Sequence, residues 1–230
     1  MGYEMFVDKK LVIFDLDGTL VDSVPDLALA INDMLRALER KTFSVDTIRA
    51  WVGNGAQTLV KRALDAGANE ETSLESELFT KALTLFLASY EKHLCEQTIC
   101  YPNVLITLQA LKSKGFILAL VTNKPYAFID PLLKGLGLDE LFTLCLGGDS
   151  LSKKKPDPMP LLEACKVLEV DPKEAVMIGD SKNDILAAKA AKIQSIGVSY
   201  GYNYNEEIET YLPEAVVDDI YECVALLGES

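Results

Sequence analysis

Apolar residues are spaced in three different ways along this chain. Leu11-Val12-Ile13-Phe14 is an unbroken apolar run, which reads as a strand buried on both faces. From about Ser23 to Cys95 the spacing turns helical. Val24, Leu27, Ala28, Ile31, Leu35 and Leu38 fall on one helical face, and Ser23 with Asp26 offers a capping-box-like start. Val45 to Val52 and Ala56 to Ala66 predict shorter helices. Leu74 to Leu94 predicts a long one, its face marked by Leu74, Leu78, Ala82, Leu85 and Ser89. From Tyr101 onward strands and helices alternate. Phe116 to Val121, Phe142 to Leu146, Ala175 to Ile178 and Ser195 to Val198 predict strands, with Ala215 to Val217 at an edge. Between them lie helices at Asn103 to Lys114, after Pro125, at about Pro158 to Leu168, at Asn183 to Ala191 and at Ile220 to Leu227.

Strands joined by helix-length connections specify a doubly wound parallel sheet, a Rossmann-like α/β core. The all-helical stretch after the first strand cannot belong to that sheet. Residues 22–95 are therefore expected to form a helical domain inserted into a core of residues 1–21 and 96–230.

Composition narrows the partners. With 22 Lys+Arg against 35 Asp+Glu the net charge is −13, which opposes nucleic acid and anionic membrane surfaces alike. No apolar run is long enough to span a bilayer, and Asp8-Lys9-Lys10 precedes only a short apolar stretch, unlike a signal peptide. The five cysteines form no CxxC pair and the single histidine is His93, so zinc spacing is absent; scattered thiols fit a reduced, cytoplasmic protein. His93 and Cys95 read as an ordinary helix end rather than a catalytic pair.

The candidate chemistry lies where strands end. The first strand delivers Asp15 and Asp17 into the Gly18 turn; an Asp-Gly turn accounts for Asp17 but not for Asp15. Later strand ends bring Thr122-Asn123-Lys124, Lys155-Pro156 and Gly179-Asp180 with Asp184. Taken singly, Thr122-Asn123 reads as a helix cap, Lys155 as part of a solvated run, Gly179-Asp180 as a turn and Asp184 as a helix N-terminal charge. Together they set three carboxylates at one end of a parallel sheet, where a hard cation such as Mg²⁺ relieves their repulsion and Thr122, turn amides and Lys155 cradle an anion.

Asp15-x-Asp17-Gly18-Thr19, Thr122-Asn123, Lys155-Pro156 and Gly179-Asp180-x-x-x-Asp184 resemble the four signature motifs of the haloacid dehalogenase superfamily of phosphotransferases, across the whole chain. The helical insert resembles the cap of the subclass that includes phosphoglycolate phosphatase, β-phosphoglucomutase and pyrophosphatase. Trp51-Val52-Gly53-Asn54-Gly55-Ala56, Val121-Thr122-Asn123-Lys124-Pro125, Gly147-Gly148-Asp149 and Tyr200-Gly201-Tyr202-Asn203 resemble the phosphoglycolate phosphatase branch. Lys192 departs from the pattern, because relatives usually carry glycine there.

The resemblance implies that Asp15 attacks phosphorus and that Asp17 acts as acid and then base. It implies Mg²⁺ held by an Asp15 oxygen, the Asp17 main-chain carbonyl and Asp180, with Asp184 orienting water or Lys155. Thr122, Asn123 and Lys155 would hold phosphate oxygens. Gly53, Asn54 and Gly55 are expected to meet a substrate carboxylate, with Arg49, Lys61 or Arg62 adding charge. The implied partner is a small phosphorylated metabolite, 2-phosphoglycolate first, for a monomer or homodimer. A pyrophosphatase or a β-phosphoglucomutase-like enzyme is the nearest alternative. A phospho-receiver module is more remote, since Asp17 supplies the acid a receiver lacks, and that same acid disfavours dehalogenation.

Overall fold

The computed structural model describes residues 6–66, 71–204 and 206–228. In chain order the elements begin β1 (Leu11–Phe14), β2 (Val21–Asp22), α1 (Val24–Ala37), α2 (Val45–Arg49), α3 (Ala56–Asp65), α4 (Glu77–His93) and β3 (Ile99–Cys100). They continue α5 (Val104–Ser113), β4 (Ile117–Val121), α6 (Ile129–Leu136), β5 (Leu144–Leu146), α7 (Met159–Val167) and β6 (Ala175–Gly179). The chain ends α8 (Lys182–Ala191), β7 (Gln194–Val198), β8 (Ala215–Val217) and α9 (Glu222–Leu227).

Six strands form one sheet in the order β5-β4-β1-β6-β7-β8, all parallel. At the centre Leu11 of β1 lies opposite Ile117 on one side and Ala175 on the other. A parallel sheet survives only with both faces covered, and the alternation of side chains along β1 shows how this is done. Val12 and Phe14 face a core shared with α5, α6 and α9, while Leu11 and Ile13 face α7 and α8. The chain runs from β1 outward to β5 and then returns to β6 beside β1. The switch in direction thus falls at the carboxyl ends of the central strands, where open α/β sheets bind ligands.

The insert α1 to α4 has an apolar core of its own, with α1 packed along α4. The buried face of α4 is Phe79, Ala82, Phe86 and Tyr90, not the expected stripe through Leu74, Leu78, Leu85 and Ser89. Both stripes share Ala82. The aromatic one is turned inward because three large rings bury more area, and Leu74 lies before the helix, 51% exposed.

A two-stranded antiparallel ribbon, β2 with β3, ties the point where the chain leaves the sheet to the point where it returns. Strands of two residues carry no periodicity, so this ribbon is invisible in the sequence. Beside it the expected Ser23–Asp26 box is absent. Ser23 Oγ donates to Asp17, and buried Asp26 accepts from Gln97 N, Thr98 N and Thr98 Oγ1 at 2.6–2.9 Å. Long-range partners win both side chains.

Lys192 closes α8 with φ 58° and ψ 34°, the left-handed cap conformation that glycine adopts without strain. Its departure from the family pattern therefore carries a backbone cost. Lys192→Gly is expected to stabilise the protein by about 0.5–1 kcal/mol, the strain relieved being partly offset by glycine's freedom when unfolded. Urea unfolding checks it, and a lower midpoint for the variant refutes it.

Candidate active site

β1, β4 and β6 end side by side, and the residues following them form one buried cluster. Asp15, Asp180 and Asp184 offer carboxylate oxygens that all lie within 4.8 Å of one another. Asp180 Oδ1 accepts from Thr19 Oγ1 at 2.7 Å and Oδ2 from Tyr202 N at 2.8 Å. Asp184 Oδ2 accepts from both Ser181 N and Ser181 Oγ. Gly18 makes this approach possible, because at φ 94° a Cβ there would lie 2.3 Å from Asp180 Oδ2.

Lys155 is buried among these acids. Its Nζ donates to Asp184 Oδ1 and to the Val121 carbonyl, both at 2.6 Å, and lies 3.0 Å from Asp15 Oδ1. The last contact is an ion-pair distance without hydrogen-bond geometry, so Asp15 Oδ1 is a buried acceptor lacking a hydrogen bond. Burial alone would lower the Lys155 pKa, but Asp15 and Asp184 hold it above its ordinary value. Burial pushes the Asp15 carboxyl up to about 7 despite Lys155, with Asp184 adding to the rise. Asp180 is held well above the usual carboxylate range by burial and then by Asp184 and Asp15. Three hard oxygen donors, one with an orphaned oxygen, fit a divalent cation of the Mg²⁺ type.

Asp17 stands apart. Its carboxylate takes Lys124 Nζ at 2.9 and 3.2 Å and Ser23 Oγ at 2.5 Å. Any contribution to a metal site thus falls to its main chain. Lys124, absent from the expected site residues, is buried and kept charged by Asp17 against the effect of burial. Its signal was its place directly after Thr122-Asn123 at the end of β4, where an unpaired lysine cannot be buried.

Asn123 Nδ2 donates to the carbonyls of Gly53 and Lys155, each at 3.0 Å, which leaves its Oδ1 without a partner. Thr122 is buried beside it and its Oγ1 accepts from Lys124 N at 3.2 Å. Above these groups the insert encloses a cavity of about 40 Å³, whose lining includes Asp15, Asp17, Gly53, Gly55, Thr122 and Asn123. Asn54 is turned away, its Oδ1 accepting from Arg62 and from Tyr204 Oη at 2.9 and 2.8 Å. Arg49 is paired bidentately with Asp22 at 3.1 Å, and Lys61 with Asp65 at 2.5 Å. His93 sits in the last turn of α4, 3.7 Å from Asp33, and all five cysteines are free.

A buried carboxylate beside a second acid, at the switch point of a parallel sheet and beneath a helical insert, defines a class. The family model for haloacid dehalogenase-like hydrolases matches residues 12–198, and the chain belongs to that family, among its phosphatases. It is 53% identical to a phosphoglycolate phosphatase of Colwellia psychrerythraea, over 96% of this chain and 97% of that one. It is 50% identical to another of Psychrobacter arcticus, over 96% of both. A crystal structure described as a predicted phosphoglycolate phosphatase from Haemophilus somnus superposes with a TM-score of 0.92 at 41% identity, covering 96% of this chain and 99% of that one. Among the described residues no helix is long and apolar enough to cross a membrane.

Because Asp15 titrates higher folded than unfolded, its contribution to stability is complete below the unfolded value near 4 and is lost as pH rises through about 7. Chelator-treated protein should therefore show a thermal midpoint that falls from about pH 5 to about pH 8. Saturating Mg²⁺ should raise the midpoint most at the upper end, and Asp15→Asn should flatten the metal-free slope. A metal-free midpoint that is level or rises across that window refutes the assignment.

Proposed function

We propose that this phosphatase hydrolyses 2-phosphoglycolate to glycolate and phosphate through an aspartyl-phosphate on Asp15. The observation that carries the reading is the pairing of two carboxylates in unlike surroundings. Asp15 lines the cavity and its Oδ1 takes no hydrogen bond, while Asp17 is held by Lys124 and Ser23. Asp15 is thus free to form a bond, and Asp17 is fixed where it can move a proton.

In the first half-reaction an Asp15 oxygen bonds to phosphorus as the bond to the leaving oxygen breaks, and Asp17 protonates that oxygen. In the second, Asp17 takes a proton from water, whose oxygen displaces Asp15 from phosphorus. Thr122, Asn123 and Lys155 hold the phosphoryl oxygens as charge moves across them. Asp184 positions Lys155, as their 2.6 Å contact supports. Asp15, Asp180 and the Asp17 main-chain carbonyl would hold Mg²⁺, which supplies positive charge against the anionic substrate.

Residues 22–95 act as a cap over the core formed by 1–21 and 96–230. The cavity between cap and core has a volume of only about 40 Å³, so the cap must move apart to admit substrate. On the cap side Leu27, Val52, Leu59 and Phe86 line it. Walls this largely apolar suit a two-carbon leaving group better than a hexose with its many hydroxyls. The backbone of Gly53 and Gly55 faces the same space. Similarity to phosphoglycolate phosphatases along nearly the whole chain supports the substrate.

Asp15→Asn should leave less than about a hundredth of wild-type turnover and no acid-stable label transferred from ³²P-substrate, while circular dichroism stays unchanged. Retention of more activity than that excludes Asp15 as nucleophile. In a panel with pyrophosphate, β-glucose 1-phosphate and p-nitrophenyl phosphate, 2-phosphoglycolate should give the highest kcat/KM. A competitor ahead by about tenfold would leave a phosphatase with a different substrate.

A further inference from the structure

Among the described residues, Tyr90 is the one polar side chain that the helical insert contributes to the lining of the cavity. It lies in α4 and is 1% exposed. Its ring is stacked on Phe86 at 5.9 Å, meets Phe128 edge-on at 5.0 Å, and carries the Lys124 ammonium 4.7 Å from its centroid. These contacts fix the ring. They leave Tyr90 Oη buried without a hydrogen bond of regular geometry among the described residues, with the Lys124 ammonium as the charged group that interacts with it.

An orphaned phenol is costly, and phenylalanine would pack against Phe86 and Phe128 equally well. Burial pushes the phenol up to about 12, so at neutral pH it carries its proton and is a donor. Its neighbour Lys124 already has two contacts on Asp17, which places cation and phenol together beside the proton-transfer group. During in-line displacement the leaving group departs away from Asp15, toward the cap and so toward Tyr90.

We propose that Tyr90 is the specificity-determining residue of the cap, donating a hydrogen bond from Oη to the substrate's second anionic group beside Lys124. For the reaction proposed above, on which this assignment rests, that group is the carboxylate carried by the leaving group. Phosphate is engaged by the sheet residues, and the acid end is read by one fixed phenol and one ammonium. Among the described residues the remainder of the cap wall is apolar and offers no other polar side chain, so the choice between leaving groups turns on the Tyr90 hydroxyl.

The test is Tyr90→Phe, which keeps the ring and removes only the hydroxyl, assayed with 2-phosphoglycolate and with ethyl phosphate in parallel. Ethyl phosphate has the same two-carbon leaving group without the carboxylate. For 2-phosphoglycolate kcat/KM should fall about 10- to 100-fold, chiefly through KM, and for ethyl phosphate it should change by less than about twofold. The thermal midpoint of Tyr90→Phe should equal or exceed that of wild type, since an unpaired buried group is deleted. An equal loss on both substrates, no loss on either, or a marked drop in midpoint overturns the assignment. A wild-type enzyme with no preference between the two substrates overturns the 2-phosphoglycolate reading and this assignment together. A wild-type preference that Tyr90→Phe leaves intact overturns this assignment alone.

Discussion

Repulsion among buried carboxylates is the constraint around which this molecule is arranged. Asp15, Asp180 and Asp184 come within 4.8 Å of one another at the end of a sheet whose central strands β1, β4 and β6 carry no polar side chain. Such a group is tolerable only with compensation from every side. Lys155 supplies charge from the loop after β5, Thr19 and the amide of Tyr202 bond Asp180, and Ser181 bonds Asp184. The parallel pairing of β1 with β6 forces the acids together, and the rest of the site keeps them there. Two lysines divide the work: Lys155 sits with the Asp15 cluster and Lys124 with Asp17. Two aspartates one residue apart thus occupy different electrostatic environments, as two carboxylates with different tasks require.

Most of the sheet was legible because a strand buried on both faces must be apolar throughout, and Leu11–Phe14 and Ile117–Val121 have nothing else to be. The polar residues beyond the strands were legible because they break those runs abruptly. What could not be read is whatever depends on choice between competing partners. Ser23 and Asp26 carry the letters of a helix cap, yet Ser23 bonds Asp17 and Asp26 pins the chain at Gln97 and Thr98. The face of α4 turned on whether leucines or aromatics go inward. Asn54 carries the chemistry of a ligand-binding amide, but Arg62 and Tyr204 occupy it. Lys124 was visible as a residue and invisible as a partner, since its pairing with Asp17 joins the ends of two neighbouring strands that lie far apart in the sequence.

The insert and the chemistry share residues rather than merely meeting. Asn123 donates at once to the Gly53 carbonyl of the insert and to the Lys155 carbonyl of the sheet unit. Lys154 reaches the Asn54 carbonyl at 2.7 Å, and Asn183 bonds the Gly53 carbonyl at 3.2 Å. On the far side Arg49 grips Asp22, whose carboxylate also accepts from Tyr202 Oη at 2.6 Å. At Gly53 a Cβ would lie 2.4 Å from Tyr204 Oη, so the turn must be bare to dock this closely. The insert and the strand ends are in this way held in one hydrogen-bonded arrangement.

The β2–β3 ribbon carries a consequence for how such a molecule changes over generations. Because the outgoing and returning chains are hydrogen-bonded to each other, the covalent connections between sheet unit and insert form one attachment of fixed width, whatever lies beyond it. The entropy of closing the excursion grows only slowly with its length. Helices can therefore be lengthened, exchanged or lost on the far side of that ribbon without shifting β1 or the residues at its end. Selection for a new substrate can act on one half of the molecule while the reacting atoms in the other half stay where they are.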